Sequence, residues 1–232
     1  MDASLVSDLF EKLRGGLIVS CQCPYGSPTN EPAVIAAMAI ASLNNGAVGV
    51  RIESPERVAA VRAQTHRPII GLWKQTLPGS EVYITPQFEH ARAIADAGAD
   101  IIAIDATARP RPGGETLEDV IRRIHGELGK PVMADIDTVA SAEGAIAAGA
   151  DCVGTTLFGY TGETKHTKPP GWDVLEGCVR SLSVPVLCEG GIKSAAMARK
   201  ALDLGAWASV VGTAITGIDL QVQAYCWVMA NS

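Results

Sequence analysis

Short runs of consecutive apolar residues recur along the chain, separated by longer stretches in which apolar positions return every three or four residues. The short runs come in two kinds. In one, a helical stretch closes on Gly-Ala and passes into an apolar run: Gly46-Ala47 ahead of 48–52, Gly98-Ala99 ahead of 101–105, Gly149-Ala150 ahead of 152–156, and Gly205-Ala206 ahead of 208–212. Glycine there supplies the left-handed residue that ends a helix. In the other, a proline opens the run, at 68–72, 131–135 and 185–189. Proline in a first strand position removes no interior ladder bond. With 16–20 leading, the two kinds alternate through eight predicted strands.

Helices are predicted over 32–44, 54–65, 87–97, 116–128, 139–148, 173–181 and 194–204, with a last one from about 218. Short all-apolar strands separated by amphipathic helices imply a parallel sheet buried on both faces. Eight such units close into a (β/α)₈ TIM barrel, and residues 1–232 are read as that one domain. An open doubly wound sheet would need edge strands, and none of the eight runs is more polar than the rest. Only 75–86 and 159–172 are long enough to serve as active-site loops.

Composition adds limits rather than a function. The net charge of −6 and the absence of any Lys/Arg cluster argue against a nucleic-acid partner, which needs a basic face. No stretch approaches the ~18 apolar residues of a membrane span, and the amino terminus lacks a basic segment followed by an apolar run. The six cysteines have neither CxxC spacing nor the density of a disulfide scaffold, so reduced thiols and a cytoplasmic location are expected. His66, His90, His125 and His166 form no ligand pattern; they are expected at the surface, with no metal bound.

Candidate chemistry collects where the strands end, which is where such barrels carry their active sites. Those ends read Ser20-Cys21-Gln22, Arg51, Lys74, Asp105, Asp135, Thr155-Thr156, Glu189 and Gly212-Thr213. Eight strands stand about 45° apart around the ring, so strands three and seven oppose each other, as do one and five. Lys74 is therefore expected to face Glu189 as an acid–base pair, and Gln22 to face Asp135 as a second pair gripping a small polar ligand. After strands seven and eight come Gly190-Gly191 and Gly212-Thr213, where loops without bulky side chains let backbone N–H groups approach a phosphate.

Several segments together are specific: 16–22 (Gly-Leu-Ile-Val-Ser-Cys-Gln), the Gly-x-x-Lys ending at Lys74, 80–86 (Ser-Glu-Val-Tyr-Ile-Thr-Pro), Asp105-Ala106-Thr107 with Arg109-Pro110-Arg111-Pro112, Met133-Ala134-Asp135, Gly154-Thr155-Thr156 with Gly159-Tyr160, and Glu189-Gly190. From about residue 15 to 216 the chain resembles the bacterial N-acetylmannosamine-6-phosphate 2-epimerase family. That resemblance implies interconversion of N-acetylmannosamine 6-phosphate and N-acetylglucosamine 6-phosphate in sialic-acid breakdown, without a cofactor. It implies Lys74 and Glu189 as catalytic residues, with Gln22, Arg51 and Asp135 binding substrate. Thr155, Gly190, Gly191, Gly212 and Thr213 complete the expected substrate site, and a homodimer is the expected assembly.

Two positions depart from the family pattern, which has arginines where this chain has Gly191 and Gly217. Backbone N–H groups alone, or Lys193, would then hold the phosphate, and Gly217→Arg is expected to lower KM if that position is sterically open. For the chemistry, Lys74 would take the proton from carbon 2 of the open-chain sugar, its pKa lowered from about 10.4 by burial or by Arg51. Glu189 would return a proton or open the ring; the residues do not choose between these. Asp105 is expected to cap the next helix or to bond loop amides, and Trp73 to pack between barrel and helices. A Schiff-base aldolase, another sugar-phosphate isomerase and a sugar-phosphate sensor without turnover remain as competing readings.

Overall fold

The computed structural model describes residues 3–231. After helix α1 (Ala3–Glu11), eight strands follow: β1 (Leu17–Cys21), β2 (Gly49–Glu53), β3 (Ile69–Leu72), β4 (Ile101–Asp105), β5 (Val132–Asp135), β6 (Cys152–Gly154), β7 (Val186–Glu189) and β8 (Ala208–Val211). Each pairs in parallel with the next, and β8 pairs with β1, closing the barrel that the repeat predicts. Between strands lie α2 (Pro32–Asn44), α3 (Pro55–Arg62), α4 (Phe88–Asp96), α5 (Leu117–Arg123), α6 (Val139–Ala147), α7 (Trp172–Ser181) and α8 (Ala195–Asp203). Beyond β8 come α9 (Thr213–Thr216) and α10 (Ile218–Ala230).

Local sequence accounts for where these helices begin. Pro32 and Pro55 occupy the first turns of α2 and α3, where a missing N–H costs no bond. The hydroxyls of Thr116, Thr138 and Ser194 accept hydrogen bonds from the backbone N–H three residues on, capping α5, α6 and α8.

Alternation along the strands sorts the core into two shells. Val19, Val50, Ile52, Ile69, Ile102, Ile104, Val132, Ala134, Val153, Val186, Cys188 and Val211 point outward and pack under the helices. Ile18, Ile70, Leu72, Ile101, Ala103, Met133, Cys152, Leu187, Ala208 and Val210 point inward and fill the barrel. Phe10 and Leu13 join that inner cluster from below, and the Trp207 indole N–H donates to the Phe10 carbonyl at 2.8 Å. The segment from α1 thus plugs the amino-terminal mouth, and the site must lie at the other end.

The same alternation carries polar residues inward at the carboxyl ends. Val50 and Ile52 face out, so Arg51 faces in; Ala134 and Cys188 face out, so Asp135 and Glu189 face in. Two expectations need correction. His90 is buried on α4 with its ring edge-on to Trp73, centroids 5.3 Å apart, and His125 is half-buried with Nε2 2.8 Å from Asp151. The apolar face of α4 includes His90, whose pKa burial lowers. Trp73 packs on the outer shell as expected. No helix among the described residues is long and apolar enough to cross a membrane.

Candidate active site at the carboxyl end of the barrel

A cavity of about 580 Å³ opens at the carboxyl ends of the strands, within the range of small-ligand sites. At its inner end Arg51, Lys74, Thr156 and Glu189 line the wall; farther out it is bounded by Gly190–Lys193 and Gly212–Ala214, and by Leu220, Gln221 and Ala224 of α10.

Arg51 is the organising charge of the inner end. It is 1% exposed, donates from Nη1 to Asp135 Oδ1 at 2.9 Å and from Nη2 to Oδ2 at 2.6 Å, and lies 2.8 Å from Glu189 Oε2. A planar guanidinium suits this bidentate grip, and such a buried cation persists only when paired. Burial opposes its charge, but Asp135 and Glu189 outweigh that and hold its pKa above the ordinary value. Its Nε has no hydrogen-bond partner among the described residues.

Glu189 experiences the opposite balance. Burial pushes its pKa up to about 7, with Asp135 adding to the rise against the pull of Arg51, Thr156 and Lys74. Lys74 moves the other way: burial, then the positive charge of Arg51, lowers its pKa, while Glu53, Glu189 and Asp135 resist. A lysine easier to deprotonate and a glutamate easier to protonate, on opposite sides of one cavity, form an acid–base pair with proton affinities shifted toward each other.

Gln22 does not face Asp135 across the mouth. Its Oε1 accepts from Lys74 Nζ at 2.5 Å, and its Nε2 donates to Ser20 Oγ at 2.8 Å, so Gln22 orients the lysine. Asp135 lies beneath the cavity floor, fully buried, and spends its oxygens on Arg51 and on the Thr156 hydroxyl at 2.6 Å. The expected pairing across strands one and five is thus replaced by two stacked pairs, Arg51–Asp135 below and Gln22–Lys74 above.

Thr155 is also corrected. Its buried hydroxyl donates to the Glu189 carbonyl at 2.8 Å and accepts from the Glu189 N–H at 3.0 Å, tying β6 to β7 rather than facing the cavity. Thr156, its neighbour, lines the cavity and reaches both Asp135 and Glu189 Oε2, the latter at 3.1 Å. Asp105 bonds the Thr107 amide and hydroxyl and pairs with Arg109 at 2.6 Å, so of its two expected roles it holds the loop rather than capping a helix.

At the outer end, Gly190, Gly191, Gly212 and Thr213 line the cavity as expected. Both departures from the family pattern are built into the backbone. Gly191 has φ +68°, and a Cβ there would lie 2.6 Å from the carbonyl carbon of Pro169. At Gly217 a Cβ would come within 2.8 Å of Thr213 Cα. Position 217 is therefore closed, and Gly217→Arg is not expected to lower KM, since any side chain there must first displace α9. Lys193 also borders the outer cavity, is exposed, and has no ion pair among the described residues.

Residues 35–230 match the family described as "NanE: Putative N-acetylmannosamine-6-phosphate epimerase". A protein of Thermosynechococcus vestitus named "Putative N-acetylmannosamine-6-phosphate 2-epimerase" is 64% identical over 218 residues, covering 94% of this chain and 95% of its own. One of the same name from Synechococcus elongatus is 60% identical over 216 residues, covering 92% and 93%. A solved structure of the N-acetylmannosamine-6-phosphate 2-epimerase from Clostridium perfringens matches with a TM-score of 0.91 at 36% identity, covering 95% of this chain and 96% of that one.

Proposed function

The chain belongs to the NanE family of N-acetylmannosamine-6-phosphate epimerases, and from that membership we propose that it interconverts N-acetylmannosamine 6-phosphate and N-acetylglucosamine 6-phosphate by moving a proton at carbon 2. The observation that carries the chemistry is Lys74 and Glu189 on one cavity with proton affinities shifted toward each other.

In the open-chain sugar carbon 2 lies beside the aldehyde. Neutral Lys74 takes its proton, the C–H electron pair moves into the C1–C2 bond, and the aldehyde oxygen becomes an enolate oxygen. Protonated Glu189 then delivers a proton to the opposite face of carbon 2, inverting it, and the carbonyl re-forms. Arg51 supports this step electrostatically, because its buried charge lowers the cost of negative charge on the enolate. The phosphate sits at the outer end against the backbone of Gly190–Lys193 and Gly212–Ala214, with Lys193 as its counter-charge.

Turnover of N-acetylmannosamine 6-phosphate in D₂O tests the reading. Deuterium is expected on carbon 2 of the product by NMR, because the acidic proton that Glu189 delivers has exchanged with the solvent. Epimerised product without that label would exclude this exchanging proton transfer.

We also propose that the protein works in the cytoplasm, on amino sugars released in sialic-acid breakdown, and as a homodimer joined through α10. This thirteen-residue helix has no buried residue. It leaves Ile218, Val222, Tyr225, Trp227 and Met229 exposed, an apolar surface that a second copy would cover. Light scattering is expected to give twice the 24.2 kDa chain mass, and Trp227→Glu to shift it toward one chain. A wild-type chain that stays at 24.2 kDa at micromolar concentration would end that reading.

A further inference from the structure

Two of the specific segments, 80–86 and 105–112, take no part in the chemistry described so far. The structure gives them a joint task. Residues 80–86 fold back antiparallel to the end of β3: Lys74 bridges Ile84, the Gln75 N–H donates to the Tyr83 carbonyl at 2.9 Å, and the Thr85 N–H donates to the Trp73 carbonyl at 2.8 Å. Thr85 Oγ1 accepts from the Trp73 N–H at 3.1 Å and donates to the Ala103 carbonyl at 2.7 Å.

Arginines from the second segment clamp this strap by its carbonyls. Arg109, paired with Asp105, donates to Glu81 O at 3.0 Å, and Arg111 donates to Pro86 O at 2.8 Å and to the Asp105 carbonyl. Val82 and Ile84 are buried, which anchors the strap from both sides of Tyr83. Tyr83 itself lines the cavity beside Lys74, half-buried, and its hydroxyl makes no hydrogen bond among the described residues. A phenol this firmly held ordinarily finds a partner for its O–H when buried. Here the partner must come from what enters the cavity.

We propose that Tyr83 is a further catalytic residue, whose hydroxyl donates a hydrogen bond to the substrate oxygen that takes up negative charge beside the reacting carbon. The inference rests on the epimerase reading above. It fits the phenol's surroundings: burial, then the nearby carboxylates of Asp135 and Asp105, push its pKa up to about 12. The proton therefore stays on Tyr83, and the residue acts as a donor rather than a second base. A donor aimed at a charge that develops during reaction acts in the transition state more than in the bound ground state.

The test is Tyr83→Phe, which removes one oxygen and keeps the ring, with kcat and KM of the sugar phosphate measured separately and folding followed by circular dichroism and melting. We expect kcat to fall roughly 10²-fold with KM and melting temperature little changed. Unaltered kcat and KM in a folded variant would overturn the inference while the wild-type turnover upholds the epimerase reading. A raised KM at unchanged kcat would overturn it too, since the hydroxyl would then bind substrate without meeting the developing charge. Wild-type protein without turnover would remove the epimerase reading, and this inference with it.

Discussion

Lys74→Met is expected to fold normally and to lose about 10²- to 10⁴-fold in kcat, the usual contribution of a positioned acid or base. Methionine approximates the length of the lysine stem without an amine, so the inner wall keeps its shape. The folded state loses little, because the ammonium is half-buried next to the guanidinium of Arg51, and its main fixed partner is the neutral Gln22 amide. Removing a partly desolvated cation beside another cation relieves repulsion, which offsets the hydrogen bond lost to Gln22. Steady-state kinetics with melting curves check this directly. A folded variant that keeps more than a tenth of the wild-type rate would show that another group takes the proton.

Much of this site is legible in the chain because strand alternation is strict. Arg51 and Asp135 each sit between two outward apolar residues, and Glu189 follows the outward Cys188, so their inward direction follows from period two. The Gly-Ala and proline signals likewise mark seven of the eight strands of the closed barrel, β2 to β8. Reading fails where alternation stops. Thr155 begins a short 3₁₀ turn, Thr155–Leu157, after β6, so parity no longer says which threonine faces the cavity, and Thr156 does. Counting strands around a flat ring sets Gln22 opposite Asp135, but Arg51 lies within β2 rather than at its end and takes Asp135 below the rim. Lys74, two residues beyond β3, is turned by the strap at 80–86 and meets Gln22 above. The closure of Gly217 depends on a contact with Thr213, and the plug from α1 on a contact with Trp207, neither of which has a periodic signal.

Asp135→Asn is expected to cost stability and to move the pH dependence of catalysis, and the two effects have separate causes. Every group facing the Asp135 carboxylate is a donor: Arg51 Nη1 and Thr156 Oγ1 to Oδ1, and Arg51 Nη2 to Oδ2. An amide of the same shape must turn its own NH₂ toward one of those donors. Arg51, still fully buried, then has only Glu189 as a counter-charge. Breaking one side of a buried ion pair typically costs about 3–5 kcal/mol. For a chain of this length each kcal/mol is about 2–4 °C, so the melting temperature should fall by roughly 6–20 °C. The electrostatic effect concerns Glu189, whose pKa of about 7 is raised by burial first and by Asp135 second, against the pull of Arg51. Without the neighbouring negative charge, and with Arg51 no longer shared, Glu189 holds its proton less tightly. Its pKa must therefore drop. If the active form carries neutral Lys74 and protonated Glu189, the wild-type kcat/KM rises with pH and levels off near 7, where Glu189 begins to lose its proton as fast as Lys74 gives up its own. In the asparagine variant that levelling should come at lower pH. Measuring kcat/KM from pH 5 to 9 at a temperature where the variant is folded reads the shift. An inflection that stays near 7 in a folded variant would show that Glu189 is not the group that titrates there.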